Sequence, residues 1–170
     1  MLIQLTAADK QRCYQHARKI TRHRPNHPTY ATDYAREAWE NDPLLNNYFA
    51  ACAELAVAQY YDFPWSNETD SNSRADVGDN IEVRHAKQKH YGLIIKWKDV
   101  QREFYNVLCY VYDRTWPQYE IGDVELIGGY PAPWGWDDAG QCTTAQCCSI
   151  INIHTRVLGQ RHLERYPHES

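Results

Sequence analysis

The sequence predicts an α+β fold, α/β/α-like in its layering, in which helices of the N-terminal half pack on a mixed, largely antiparallel central sheet of about five strands. Three observations carry that expectation. Helical patterns run over about 7–22 and 44–61. From Ile81 to Ile127 the chain breaks into short segments rich in β-branched and aromatic residues. Between the two regions, Gly78-Asp79-Asn80 has the chemistry of a tight turn, because Gly and Asn tolerate the positive φ of short hairpins. At 170 residues the chain is read as one domain. Its core is expected over about 44–130, with an N-terminal helical region 1–43 and a loop, strand and helix extension 131–170.

The elements follow in order. Met1 to Leu5 lacks the basic start and cleavage site of a secretory signal, and no apolar run reaches membrane-spanning length, so a soluble, cytoplasmic protein without a membrane partner is expected, in the host cytoplasm if the chain is viral. Thr6 with Asp9 three residues on forms a capping-box pattern that opens the first helix, and Pro25 and Pro28 stop it. Arg18, Lys19, Arg22, His23 and Arg24 crowd its end, where cations complement the helix dipole and a phosphate could also dock. A short helix is expected around Thr32 to Glu40, and a longer one from Leu44 to Tyr61. A polar connection leads from Asp62 to Arg74. Strands are expected in both arms of a hairpin about Gly78-Asp79-Asn80, over Tyr91 to Lys96, over Phe104 to Tyr112 and over Tyr119 to Ile127. Lys98-Asp99-Val100 reads as a turn, and Gly128-Gly129 as a strand end. Ile150 to Ile153 adds a further strand candidate.

Composition narrows the function classes without choosing one. Apolar residues make up 43%, charged residues 24%, and the net charge of −4 announces neither a nucleic-acid coat nor a membrane surface. Any such partner must be met by a local patch. Thirteen Tyr and six Trp suit half-wet recognition or stacking surfaces. Cys13, Cys52 and Cys109 sit alone in apolar segments and are read as reduced core residues. Cys142, Cys147 and Cys148 lie near His154 and His162, but their spacing matches no zinc site.

Chemistry concentrates in Arg74-Ala75-Asp76-Val77-Gly78-Asp79-Asn80-Ile81-Glu82-Val83-Arg84-His85. Strand alternation places Glu82 and Arg84 on one face, and Asp76 nearly opposite Glu82. Two carboxylates that close repel each other unless a cation stands between them. A solvated, charged hairpin is the plain alternative. Glu54 is the second clue: its neighbours one helical turn away are Ala50, Ala51, Val57 and Ala58, so this carboxylate emerges from a small, apolar surface that can approach a sheet closely.

This order of parts, a helical Glu54, then Asp76, then Glu82-x-Arg84 on the next strand, resembles the PD-(D/E)XK nuclease superfamily, and in particular its small phage-type members. The resemblance implies a restriction-endonuclease-like core and metal-dependent hydrolysis of nucleic acid, DNA favoured, with Mg²⁺, or Mn²⁺ in its place, held by Glu54, Asp76 and Glu82. Asp79 is the alternative metal ligand, although its turn position suits capping of a backbone N–H. The chain departs from the family at Arg84, where the motif has Lys. Arginine stays protonated and cannot act as a base, but it can clamp a phosphate. Lys96, on the following strand, is the candidate for a displaced lysine. His85, Lys87, Lys89, His90, Lys96 and Lys98 make up the expected nucleic-acid-binding patch. The alternative is a nuclease-like fold that has lost turnover and serves as a nucleic-acid or protein-binding module.

Overall fold

The computed structural model describes residues 1–23, 43–65, 74–86, 93–112, 120–133 and 150–153. Among the described residues nine elements follow one another: β1 (Leu2–Ile3), α1 (Ala7–His23), α2 (Pro43–Tyr61), β2 (Ile81–Ala86), β3 (Leu93–Lys96), α3 (Trp97–Gln101), β4 (Tyr105–Val111), β5 (Val124–Pro131) and β6 (Ile150–Ile153). The fold is α+β with a mixed sheet.

The two long helices start where the sequence places them. Thr6 Oγ1 accepts from the Asp9 N–H at 3.1 Å while the Asp9 carboxylate accepts from the Thr6 N–H at 3.2 Å, which satisfies donors that helix geometry leaves orphaned. Helix α2 is apolar almost all round, with Ala51, Cys52, Ala53, Leu55, Ala56, Val57 and Ala58 buried. A helix of that kind must be covered on several sides, and α2 lies between α1 and the sheet. Cys13, Cys52 and Cys109 are buried free thiols, as the sequence reading expects. Among the described residues no helix is long and apolar enough to cross a membrane.

The sheet is mixed, as expected, but draws on different strands from those expected. Its four strands lie in the order β1-β5-β4-β2, while β3 pairs separately and antiparallel with β6. The amino-terminal segment thus supplies a strand, and the segment expected in the middle of the sheet leaves it. Strands β2 and β4 are parallel, with Glu82 beside Asn106 and Arg84 beside Leu108, whereas β4–β5 and β1–β5 are antiparallel. A parallel pair needs a long crossover, and the chain between Ala86 and Tyr105, carrying β3 and α3, provides it. Lys98-Asp99-Val100 accordingly lies in α3 rather than in a turn between hairpin strands. The first hairpin arm is also not a strand: after the turn, where Gly78 has φ +57°, only an isolated bridge joins Val77 to Ile81. The expected helix around Thr32 to Glu40 and the residues Cys142, Cys147, Cys148, His154 and His162 lie outside the described residues.

Two cores result. Ile81, Val83, Tyr105, Val107, Cys109, Val111, Val124 and Leu126 face α1 and α2, and Ala86, Leu108, Tyr130 and Ala132 face Leu93 and Ile95 of β3.

Gly128 and Gly129 do not end a strand but continue β5, because the buried Tyr105 ring of the neighbouring strand lies across Gly129. A Cβ on Gly129 would stand 2.5 Å from the ring carbon Cε1 and 2.6 Å from the hydroxyl of Tyr105. Gly129→Ala should therefore cost about 1–3 kcal/mol, the usual range for overpacking, measured by urea denaturation. A variant as stable as the parent would show that the ring moves freely.

Candidate active site at the edge of β2

β2 is the last strand of the four-strand sheet, so among the described residues one side of its backbone has no strand neighbour. The preceding segment covers that edge. Val77 and Ile81 exchange backbone hydrogen bonds at 3.1 and 3.2 Å, and the Asp76 carboxylate accepts from the Val83 N–H at 2.8 Å. Trp65 forms a further antiparallel bridge to Val77. These contacts fix Asp76 at the strand edge and bring Trp65 beside it.

Alternation along β2 divides the functional side chains between two faces. Ile81, Val83 and His85 point toward α2, where a His85 ring nitrogen lies 3.3 Å from Asn46 Oδ1. His85, expected in the basic patch, is half-buried with its ring beside helix α2. Glu82 and Arg84 point the other way, toward α3. Arg84 Nη1 donates to Glu82 Oε1 and Arg84 Nη2 to Asp99 Oδ2, both at 2.8 Å. Lys98 Nζ stands 3.2 Å from the same Glu82 oxygen. Lys98 is partly exposed and meets the carboxylate cluster, and Lys87, Lys89 and His90 lie outside the described residues.

Glu54 reaches the same edge from α2. The Trp65 indole N–H makes a long hydrogen bond, 3.4 Å, to Glu54 Oε2. Burial pushes the Glu54 carboxyl well above the usual range, and the nearby negative charge of Asp76 adds to the shift. Asp76 is raised to about 6 by burial and by repulsion from Glu82, partly offset by Arg84 and the Val83 N–H. Burial would also raise Glu82, but the charges of Arg84 and Lys98 outweigh it and hold this carboxyl below its ordinary value. Arg84 stays protonated: its burial opposes the charge, and Glu82, Asp99 and Asp76 more than compensate.

Lys96 closes β3 beside this cluster. Burial, with the positive charges of Arg84 and Lys98, lowers its pKa to about 8. Asp79 is exposed in the turn, away from the buried carboxylates in character. Glu54, Asp76, Glu82, Arg84, Lys96 and Lys98 thus come to one end of β2. The carboxylates are hard oxygen donors, and the charge of Glu82 raises both Asp76 and Glu54, which suits a divalent cation such as Mg²⁺ in chemistry. They approach from both faces of the strand edge, and among the described residues no group of three or more His, Cys, Asp or Glu side chains is placed to hold a metal ion.

Three participants escape sequence reading. Asp99 is fully buried; its Oδ2 accepts from Arg84 and also from the Lys96 N–H at 3.0 Å, while Oδ1 has no partner among the described residues. The signal was Asp99 three residues after Lys96, the spacing of a helix cap. Asn106, fully buried next to Glu82 in register, likewise finds no side-chain partner among the described residues. Trp65 carried no signal beyond an aromatic residue at the start of a polar connection.

The raised Asp76 carboxyl has a pH signature. Below the ordinary pKa of 3.8 both folded and unfolded chains hold this proton, and between 3.8 and about 6 the unfolded chain releases it first. Stability is therefore lost as pH rises through that window, and Glu54 acts in the same direction. Asp76→Asn keeps an acceptor for the Val83 N–H and removes the titration, so its stability relative to the parent should be higher at pH 7 than at pH 4. Parallel denaturation profiles for the two proteins would contradict the assignment.

Comparison with protein-family models, curated proteins and solved structures finds no match to this chain.

Proposed function

We propose that this protein is a metal-dependent nuclease of the PD-(D/E)XK kind, with a restriction-endonuclease-like core, that hydrolyses phosphodiester bonds of nucleic acid, DNA in the first place. The observation that carries this reading is the gathering of Glu54, Asp76 and Glu82, from a helix, a covering segment and a strand, at the edge of β2 beside Arg84, Lys96 and Lys98. Asn106 adds support, because a buried amide without a partner among the described residues is costly and an apolar side chain would be more stable there.

Glu54, Asp76 and Glu82 would hold Mg²⁺, which when bound acidifies a water and neutralises charge on the phosphate. The remaining chemistry belongs to the chain. Arg84 remains protonated and, with its fork held by Glu82 and Asp99, offers fixed positive charge where negative charge develops. Lys96 has a pKa close enough to neutrality for its amine to accept or orient a water proton. Hydrogen bonding of Lys96's own backbone N–H to Asp99 fixes its position relative to Arg84.

A second reading has one observation in its favour: Glu82 Oε1 already meets two protein cations, Arg84 and Lys98, so the cluster is partly neutralised without metal. On that reading the fold binds nucleic acid or a protein and does not cut.

The deciding assay incubates the protein with linear duplex DNA, single-stranded DNA and RNA, each with Mg²⁺, Mn²⁺ or EDTA. Glu82→Ala and the milder Glu82→Gln run in parallel, with circular dichroism to confirm that both fold. A nuclease gives metal-dependent cleavage that either change lowers at least about 100-fold, more than changes outside a metal's own ligands usually cost. Binding that persists in EDTA and in both variants, without cleavage by the parent, selects the second reading.

A further inference from the structure

In the basic patch expected after β2, His85 lies beside α2 and Lys98 lies near Glu82. A different surface has the right properties. Along α1, Arg12, Gln15, Arg18, Lys19 and Arg22 fall on one stripe at helical spacing, and Gln15, Arg18, Lys19 and Arg22 line one shallow groove. No acidic residue occurs on this helix after Asp9, which is engaged by Thr6 and by Arg12. Arg18, Lys19 and Arg22 are exposed and make no ion pair among the described residues.

Helix stability does not call for this arrangement. The helix dipole favours cations in the last turn only, which leaves Arg18 unexplained, whereas Arg12 pairs with Asp9 at 3.7 Å. Arg18 with Arg22, and Lys19 with Arg22, are like charges at the spacings where helix side chains meet, so each pair repels. An external polyanion would relieve that repulsion.

The stripe also leads to the candidate site. Arg12 lies over the Trp65 ring at 5.5 Å, His16 meets the same ring edge-on at 5.3 Å, and the Trp65 indole donates to Glu54. From Arg12 to Arg22 the helix rises about 15 Å, enough to follow several phosphates of one strand at about 3.4 Å of duplex axis per nucleotide. A membrane surface fits less well, since the apolar face of α1 is buried against α2 and cannot enter lipid.

We infer that the Arg12-to-Arg22 stripe of α1 is a backbone-tracking surface for nucleic acid that delivers a strand past Trp65 to the carboxylates at the edge of β2. This rests on the nuclease reading for its destination, but the contact itself can be tested separately. The experiment measures fluorescence anisotropy of labelled duplex and single-stranded DNA with the full chain in EDTA over a salt series. The parent is compared with Arg18→Gln/Lys19→Gln/Arg22→Gln, whose exposed positions leave the core untouched.

If three phosphate contacts are lost, the slope of log affinity against log salt should shrink by about two to three. Cleavage in Mg²⁺ by the triple variant should then show a raised KM with kcat little changed. Equal slopes and affinities overturn the inference and leave the nuclease reading standing. A reduced slope with no cleavage by the parent sustains the inference and removes the nuclease reading. Binding by the parent to phosphatidylserine–phosphatidylcholine vesicles but not to DNA or RNA overturns it in favour of a membrane surface.

Discussion

The mostly buried Arg84 guanidinium is the interaction on which the rest of this structure depends. One arm of its fork is hydrogen-bonded to Glu82 on its own strand and the other to Asp99 on α3. An arginine can do this because its donors are planar and diverge at fixed angles, so one charge bridges two carboxylates without rearrangement. The bridge fastens the crossover segment over the face of the sheet opposite α1 and α2. β4 can then return beside β2 in parallel. Removing one member of such a buried set leaves another charged and unpaired, which in other proteins costs about 3–5 kcal/mol.

A strand edge usually invites unwanted pairing, and this one is protected by a short segment instead of a full strand. Val77 supplies two backbone hydrogen bonds, Asp76 supplies a carboxylate to the Val83 N–H, and Trp65 extends the cover. The same economy creates the electrostatic tension of the site. Asp76 must sit near Glu82 to reach the edge, and α2 brings Glu54 against it from the other face. Glu82 has protein cations beside it and is held ionised, whereas Asp76 and Glu54 lack equal compensation and are pushed toward their protonated forms. Neighbouring carboxylates driven in opposite directions are the kind of pairing that functional sites use.

The small residues of α2 make this convergence available. Ala51, Ala53, Ala56, Val57 and Ala58 are buried, so helix α2 sits close to the sheet and a side chain no longer than that of Glu54 reaches the strand edge. Helix α1 then packs on α2 and carries its polar stripe outward. Trp65 joins the layers by touching His16 and Arg12 on one side and Glu54 on the other.

What local chemistry controls was legible in the sequence by itself. The cap at Thr6 and Asp9, the extent of α1 and α2, the turn at Gly78, the shared face of Glu82 and Arg84 and the reduced core cysteines all follow from rules that act within a few residues. Glu54 on a small apolar surface also belongs here. Pairing across long separations was decided by tertiary structure alone. Nothing local in Leu2–Ile3 says that it joins β5, and nothing local in Leu93–Lys96 says that it leaves the main sheet for Ile150–Ile153. Strand segments of similar composition can pair in many orders, and the choice falls on the order that buries both faces and satisfies the polar groups taken inside. Here Arg84 between Glu82 and Asp99 is one such demand, and the Tyr105 ring seated on Gly129 is another. Both join residues far apart in sequence, so only the folded chain shows them.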